Sequence, residues 1–259
     1  MNGQTGTLVM LYTSVPVMRT GKVTRRRGHM IAGQQHGRSD QILNLCFHGI
    51  GVPERALEPD EELYWVEQAQ FENLLDVARR YNSVRITFDD ANSSDARIAL
   101  PALRRRGLAA TFFVISERLD KPGSLSSSDV RNLVHNGMTV GSHGMRHRAW
   151  RALNDQELRA ELVDSAGAIA DAAGQPVRQV ACPFGSYDRR VLRAIRQYGF
   201  SRVYTVDGGS AKPEAWLQSR YTIRAGDTPA DIERRARQPR GRALPATIRT
   251  GKSFVKRWL

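Results

Sequence analysis

The run "VRITFDD", residues 84–90, ends an apolar stretch in two adjacent carboxylates. Asp89 and Asp90 repel each other, so selection for stability alone gives little reason to pair them where a strand leaves a core. Further along, "GSHGMRH" places His143 and His147 four residues apart. Two imidazoles and a carboxylate from another segment form a donor set for a divalent ion, with Zn²⁺ the best match. Three protein ligands with an open position make the catalytic rather than the structural arrangement, and water held there becomes acidic enough to supply hydroxide near neutral pH. One aspartate then completes the ligand set and the other faces the water as general base. Successive side chains at a strand end point different ways, so neighbouring aspartates can hold separate posts. At this level, which aspartate holds which post stays open.

Each feature alone has a plainer reading. An Asp-Asp pair after a strand is most often a turn and helix cap, and a lone HxxxH is most often surface chemistry. His135, beside Asn136-Gly137, reads as a helix end favoured by the dipole. His29 and His36 fall in a region with no other signal. Cys46 and Cys182, the two cysteines, sit in apolar runs and read as buried thiols rather than a disulfide framework. Turns and caps do not account for the joint placement of the aspartates and the histidines.

The elements that must position these groups alternate. Strand-like runs occur at 42–47, 84–88, 109–115, 138–142, 177–182 and 201–206, with "RYTI" (220–223) as a seventh. Helical spacing occupies 66–81, 94–107, 127–137, 154–174, 188–199 and 229–238. Pro101 marks a kink or a late start in the second helix, and Asn154 with Glu157 has the spacing of a capping box. Strands alternating with helices predict parallel βαβ units. Seven units predict an α/β fold of one catalytic domain, a closed or nearly closed (β/α)7 barrel. Chemistry in such a barrel sits at the C-terminal strand ends. Those ends carry His48, Asp89 and Asp90, then His143 and His147, then "CPFGSYD", and Asp207.

The 259 residues suit one large domain, and a 41% apolar fraction allows a sizeable core. The net charge of +13 favours an anionic neighbour, a basic protein kept soluble by its charge being the plain alternative. No nucleic-acid recognition motif accompanies the charge. Residues 8–18 are mildly apolar but contain Thr13, Ser14 and Pro16, and Arg25–Arg27 follow rather than precede them, the wrong order for a secretory signal. No run has the length of a membrane span. Three segments are expected: a loose extension over 1–40 (with Met18 and Met30 as alternative starts), the barrel over 41–238, and a basic tail over 239–259. The expected location is cytoplasmic. The tail either rests on an anionic inner-membrane surface or is simply solvated.

"TFDDAN", "HGMRH" and "ACPFGSYD", in this order, resemble the first three motifs of the NodB-like polysaccharide deacetylases, carbohydrate esterase family 4, and "FHGI" and "ATFFV" fall where that family carries similar strands. The resemblance covers about residues 41–225. It implies a distorted barrel of the polysaccharide deacetylase type that removes acetyl groups from N-acetylated sugars of exopolysaccharide, lipopolysaccharide or lipid-linked glycans. It implies one divalent ion, Zn first and Co, Ni or Mn as alternatives. By the same resemblance Asp89 is the catalytic base and Asp90, His143 and His147 are the ligands. Pro183, Phe184, Gly185 and Tyr187 belong to the groove or oxyanion segment, with the Phe184 N–H as oxyanion donor.

Trp216 is read as either a sugar-stacking wall or a packing residue, and His48, Asp207 and Arg224 as further rim residues. The chain departs from the pattern at four places. Ala91 stands where Gly is usual. Gly144 replaces a Ser or Thr and predicts a looser ligand loop. Ala181 replaces an Arg, which predicts a base without its usual partner. No histidine follows His147, so the leaving group must take its proton from Asp89, Arg224 or solvent. A related amidase or deformylase on the same barrel, and a sugar-binding member without turnover, are the alternatives.

Overall fold

The computed structural model describes residues 41–237. The extension, the basic tail with the membrane contact expected of it, His29 and His36 lie outside the described residues. Seven short apolar runs form strands: β1 (Leu43–Phe47), β2 (Val84–Phe88), β3 (Ala110–Val114), β4 (Thr139–Ser142), β5 (Gln179–Ala181), β6 (Arg202–Thr205) and β7 (Leu217–Thr222). Each pairs in parallel with the next, and β7 returns to β1 through Asn44↔Arg220 and Cys46↔Thr222, closing the barrel. The seventh strand begins at Leu217, three residues before the run that predicted it.

The connecting helices are α1 (Gln68–Ala78), α2 (Leu100–Arg105), α3 (Ser127–His135), α4 (Asp155–Arg159), α5 (Ser165–Ala173), α6 (Arg189–Gln197) and α7 (Pro229–Arg237). The capping box at Asn154 forms, with Glu157 N donating to its Oδ1 at 2.9 Å. Pro101 is absorbed without a break: a π-helical turn over Asp95–Ala99 runs directly into α2. A second π turn, Ala160–Asp164, divides the predicted long helix into α4 and α5. Such bulges gather at functional sites, and this one carries Glu161. A two-strand ladder, Gly49–Ile50 with Trp65–Val66, is too short to read from pattern.

Strand alternation decides what faces where. Leu45, Phe47 and Phe88 face the helical layer, where Phe47, Phe71, Phe88 and Phe112 pack ring on ring at 4.6–6.0 Å. The alternate residues line the barrel interior, which is unusually polar: Asn44, Thr87, Gln218 and Arg220 are all buried there. Asn44 Nδ2 donates to Gln218 Oε1 at 3.0 Å, so these groups satisfy one another. Among the described residues no helix is long and apolar enough to cross a membrane.

Candidate metal and hydrolytic site

Asp89 follows β2 directly, and its N–H continues the ladder to Phe47 O at 3.0 Å. Its carboxylate is buried and gripped on both oxygens by Arg220, Nη1 to Oδ1 at 2.6 Å and Nη2 to Oδ2 at 2.7 Å. Arg220 projects from β7 with no exposed surface, and Nη1 also donates to Thr87 Oγ1 at 3.2 Å. Burial alone would push the Asp89 carboxyl up. The Arg220 charge, then that of His143, overrides it and holds the carboxyl well below the usual carboxylate range.

The usual partner is absent at Ala181, as expected, but an arginine from another strand, Arg220, takes its place. Ala181 lies in a small buried cluster with Phe113 and Tyr204, and the Arg220 guanidinium stands 5.3 and 5.8 Å from those two rings. The small side chain at 181 leaves the interior to an arginine from another strand.

Asp90 and Ala91 both adopt left-handed backbone, at φ 77° and 58°. For non-glycine residues this costs about 1–2 kcal/mol each and marks a turn held by its surroundings. The turn aims Asp90 into a buried site where Oδ1 has no hydrogen-bond partner among the described residues. His147 Nε2 lies 3.5 Å from that oxygen and His143 Nε2 3.6 Å. Two ligands about 2.0–2.1 Å from one ion at a tetrahedral angle sit roughly 3.4 Å apart. The three donor atoms lie within 4.8 Å of one another. An orphaned carboxylate oxygen facing two imidazole nitrogens fits a divalent ion, and these three residues could hold one.

The far nitrogen of each ring is occupied: His143 Nδ1 donates to Ala181 O at 2.9 Å and His147 Nδ1 to Glu58 Oε2 at 2.8 Å. Both acceptors are acceptor-only, so each ring keeps a proton on Nδ1, and each in its neutral form presents an unprotonated Nε2. Burial pushes the His143 imidazole down to about 4, which keeps it neutral. For His147 burial acts the same way, but the Glu58 hydrogen bond and the Asp90 charge outweigh it and raise its pKa.

Cys46, His48 and Asp89 form a second group of donor atoms within 4.8 Å. Its chemistry opposes a cation: both Asp89 oxygens are taken by Arg220, and burial pushes the Cys46 thiol well up, so it stays protonated.

Gly144 does not loosen the ligand loop, contrary to expectation. Its φ is +87°, and a Cβ there would stand 2.4 Å from Glu161 Oε2. The buried Glu161 carboxylate accepts Met145 N–H at 2.7 Å and Arg146 N–H at 3.2 Å. The orienting bonds thus come from the π turn, across space that a larger residue at 144 would fill. A glutamate at the buried helical positions of Leu158 and Leu162 was the signal in the sequence.

The third motif turns sharply after β5. Phe184, at φ 55° and 60% exposed, places its ring 4.3 Å from that of His147. Pro183 and Gly185 are buried beneath it. Tyr187 has no exposed surface, and its hydroxyl donates to Asp207 Oδ2 at 2.5 Å. Tyr187 and Asp207 bolt two loops together, which is a different position from a groove wall. His48 lies on the rim with its ring 5.2 Å from Tyr64, and its buried Nδ1 has no partner among the described residues. The exposed Arg224 stands over the other ring of that pair, 5.7 Å from the Tyr64 centroid. Trp216 precedes β7 at the opposite end of the barrel. Its Nε1 donates to Phe200 O at 2.9 Å and Arg196 covers its ring at 4.2 Å, so it is not a wall of this site.

A sequence model of the polysaccharide deacetylase family matches residues 76–203, a span that holds all three motifs. Over these residues, about half of the chain, this protein matches the polysaccharide deacetylase family. It is 25% identical over 141 residues to YxkH of Bacillus subtilis, covering 54% of this chain and 50% of that protein. It is 28% identical over 120 residues to the peptidoglycan-N-acetylglucosamine deacetylase PgdA of Listeria monocytogenes, covering 46% of this chain and 25% of that one. The chain thus spans half of one relative and a quarter of the other. The family's barrel is shared with the Streptococcus pyogenes deacetylase PplD, solved in complex with acetate (TM-score 0.67, 18% identity, 77% of this chain and 99% of that one). It is shared also with IcaB from Ammonifex degensii (TM-score 0.64, 21% identity, 77% and 98%).

Proposed function

We propose that this protein is a metal-dependent hydrolase that removes the acetyl group from an N-acetylated sugar of exopolysaccharide, lipopolysaccharide or a lipid-linked glycan. The observation that carries the reading is the orphaned Asp90 Oδ1 facing two imidazole nitrogens, beside a carboxylate clamped by Arg220. The family and the peptidoglycan-N-acetylglucosamine substrate named for the Listeria relative support it.

Asp90, His143 and His147 would hold one divalent ion, with two nitrogens and one oxygen favouring zinc and leaving cobalt, nickel or manganese as alternatives. Bound there, the ion would polarise the acetyl carbonyl and acidify a water. Asp89 is the base. Arg220 fixes its carboxylate and keeps it ionised, so it can receive the proton of the attacking water. The same pairing makes protonated Asp89 a strong acid that readily gives the proton up.

His48 delivers a proton to the leaving amine. It is the one imidazole on the rim, among the described residues, outside the ligand set. Arg224 does not, because a guanidinium does not deprotonate in proteins. Phe184 and its turn wall the open side, and the Phe184 N–H serves the tetrahedral oxyanion. Arg220 beside Asp89 and His48 on the rim support turnover over a sugar-binding member without it.

The test is acetate release from N-acetylglucosamine oligomers and from a lipid-linked N-acetyl sugar, before and after chelation and with Zn²⁺ or Co²⁺ restored. Release that follows metal addition supports the reading, and no release from either substrate class at full metal occupancy defeats it. We read the basic segment 239–259 as a contact for anionic lipid. A chain cut after Gln238 should lose salt-sensitive co-sedimentation with anionic vesicles that the full chain shows.

A further inference from the structure

The two imidazoles of the proposed metal site are steadied by different means. His143 leans on a main-chain carbonyl inside the barrel, and an acceptor of that kind cannot be mutated away. His147 leans on a side chain, Glu58, whose Oε2 accepts from Nδ1 at 2.8 Å. His147 itself has φ 56°, a left-handed backbone that persists where its surroundings hold it.

Glu58 is well placed to fix it. Its other oxygen is paired with Arg118, which follows β3. Its own N–H donates to Glu61 Oε2 at 2.8 Å. Glu61 is in turn clamped by Arg55, whose Nε donates to Asn92 Oδ1 at 2.9 Å. Asn92 is buried two residues after Asp90, so the chain of bonds runs from one ligand's loop through Glu58 to the other ligand.

We propose that Glu58 is a positioning residue for the ion: it holds the proton of His147 on Nδ1 and so keeps Nε2 free to face Asp90. The inference rests on the reading that Asp90, His143 and His147 bind an ion. A carboxylate behind a ligating imidazole sets the tautomer and ring orientation, and losing it typically weakens metal affinity by about 10–100-fold. The surface loop that carries Glu58 thereby sets how tightly the site holds its metal, without contributing a ligand.

The experiment uses the full chain, stripped with a chelator and titrated with Co²⁺, read by visible absorption and chelator competition. Glu58→Ala should bind Co²⁺ about 10–100-fold more weakly, and Glu58→Gln, whose amide oxygen still accepts the Nδ1 proton, should recover most of the loss. In the metal-free protein at alkaline pH, ¹H–¹⁵N spectra of the imidazoles should show His147 protonated on Nδ1 in the wild type. In Glu58→Ala they should show a mixture with the Nε2 form, and His143 should be unchanged.

Equal Co²⁺ affinity and an unchanged His147 tautomer in Glu58→Ala would overturn the proposal while leaving the metal site standing. Failure of Glu58→Gln to recover affinity would overturn the acceptor role. A wild-type protein that takes up no ion would overturn the metal reading and this proposal with it, so the two failures are told apart.

Discussion

The inner and outer halves of the site are built on different principles. On the inner side, Asp89 and His143 are buried, and their partners are a guanidinium and a main-chain carbonyl supplied by the barrel strands and their ends. On the outer side, His147 is held by Glu58, whose side chain is 37% exposed, and is flanked by the exposed Phe184 ring. A buried ion pair is costly to assemble and costlier to break, so the inner half fixes the ionisation of one carboxylate against all change. The outer half reaches solvent through Glu58 and Phe184, and in the proposed reading it would set metal affinity and access. The site thus separates what must not vary from what can be tuned.

Breaking the inner half should have the largest effect. Arg220→Leu leaves Asp89 buried and unpaired, which costs about 3–5 kcal/mol and should abolish acetate release. Thermal melts and turnover on the same preparation check both. Wild-type stability in that variant would mean that the barrel interior does not depend on the pair. His48→Gln comes next. With metal content unchanged, kcat should fall by about 10²–10³-fold if His48 supplies the leaving-group proton, and a fall of only a few-fold would return that role to Asp89 or solvent.

A pH titration of the metal-free protein sharpens the contrast between the histidines. His143 has a folded pKa of about 4 against an ordinary 6.5, so the unfolded chain binds the proton first. Its contribution, about 3 kcal/mol, is present above pH 6.5 and is lost as the pH falls towards 4. His147, raised by Glu58, has the opposite sign: its stabilisation is present below the ordinary value and is lost as the pH rises through the folded pKa. Denaturant melts across this range should show the stability of His143→Gln falling less on the acid side. An identical acid slope in that variant would contradict the assignment. The smallest effect on activity belongs to Trp216→Ala, which should lower the melting temperature and leave kcat/KM unchanged. A marked rise in KM would place Trp216 in a substrate path that its position at the far end of the barrel does not suggest.

The parallel barrel and the gathering of Asp90, His143 and His147 were legible in the sequence for a local reason. Asp90 follows one apolar run and the two histidines follow another, and parallel strands bring such ends to one rim. The partners were not legible, because barrel closure chooses them. Arg220 meets Asp89 across 131 residues and Glu58 meets His147 across 89. An arginine within "RYTI" carries no sign of facing inward until the start of β7 is known. The same three-residue difference in that start decides the fate of Trp216, which it moves from the mouth of the barrel to its base. Glu161 was closer to legible, as an acid on an apolar helix face, but its π turn is not written in periodicity.

The central claim is that the two neighbouring aspartates have separate posts, Asp90 on the metal and Asp89 on the proton. Metal content and acetate release should be measured together on wild type, Asp89→Asn and Asp90→Ala, each loaded with Zn²⁺ and freed of excess. The account predicts about one ion per chain in wild type and in Asp89→Asn, with turnover lost in the latter, and loss of both ion and turnover in Asp90→Ala. Equal metal loss in the two variants, or substantial turnover by Asp89→Asn, would contradict it.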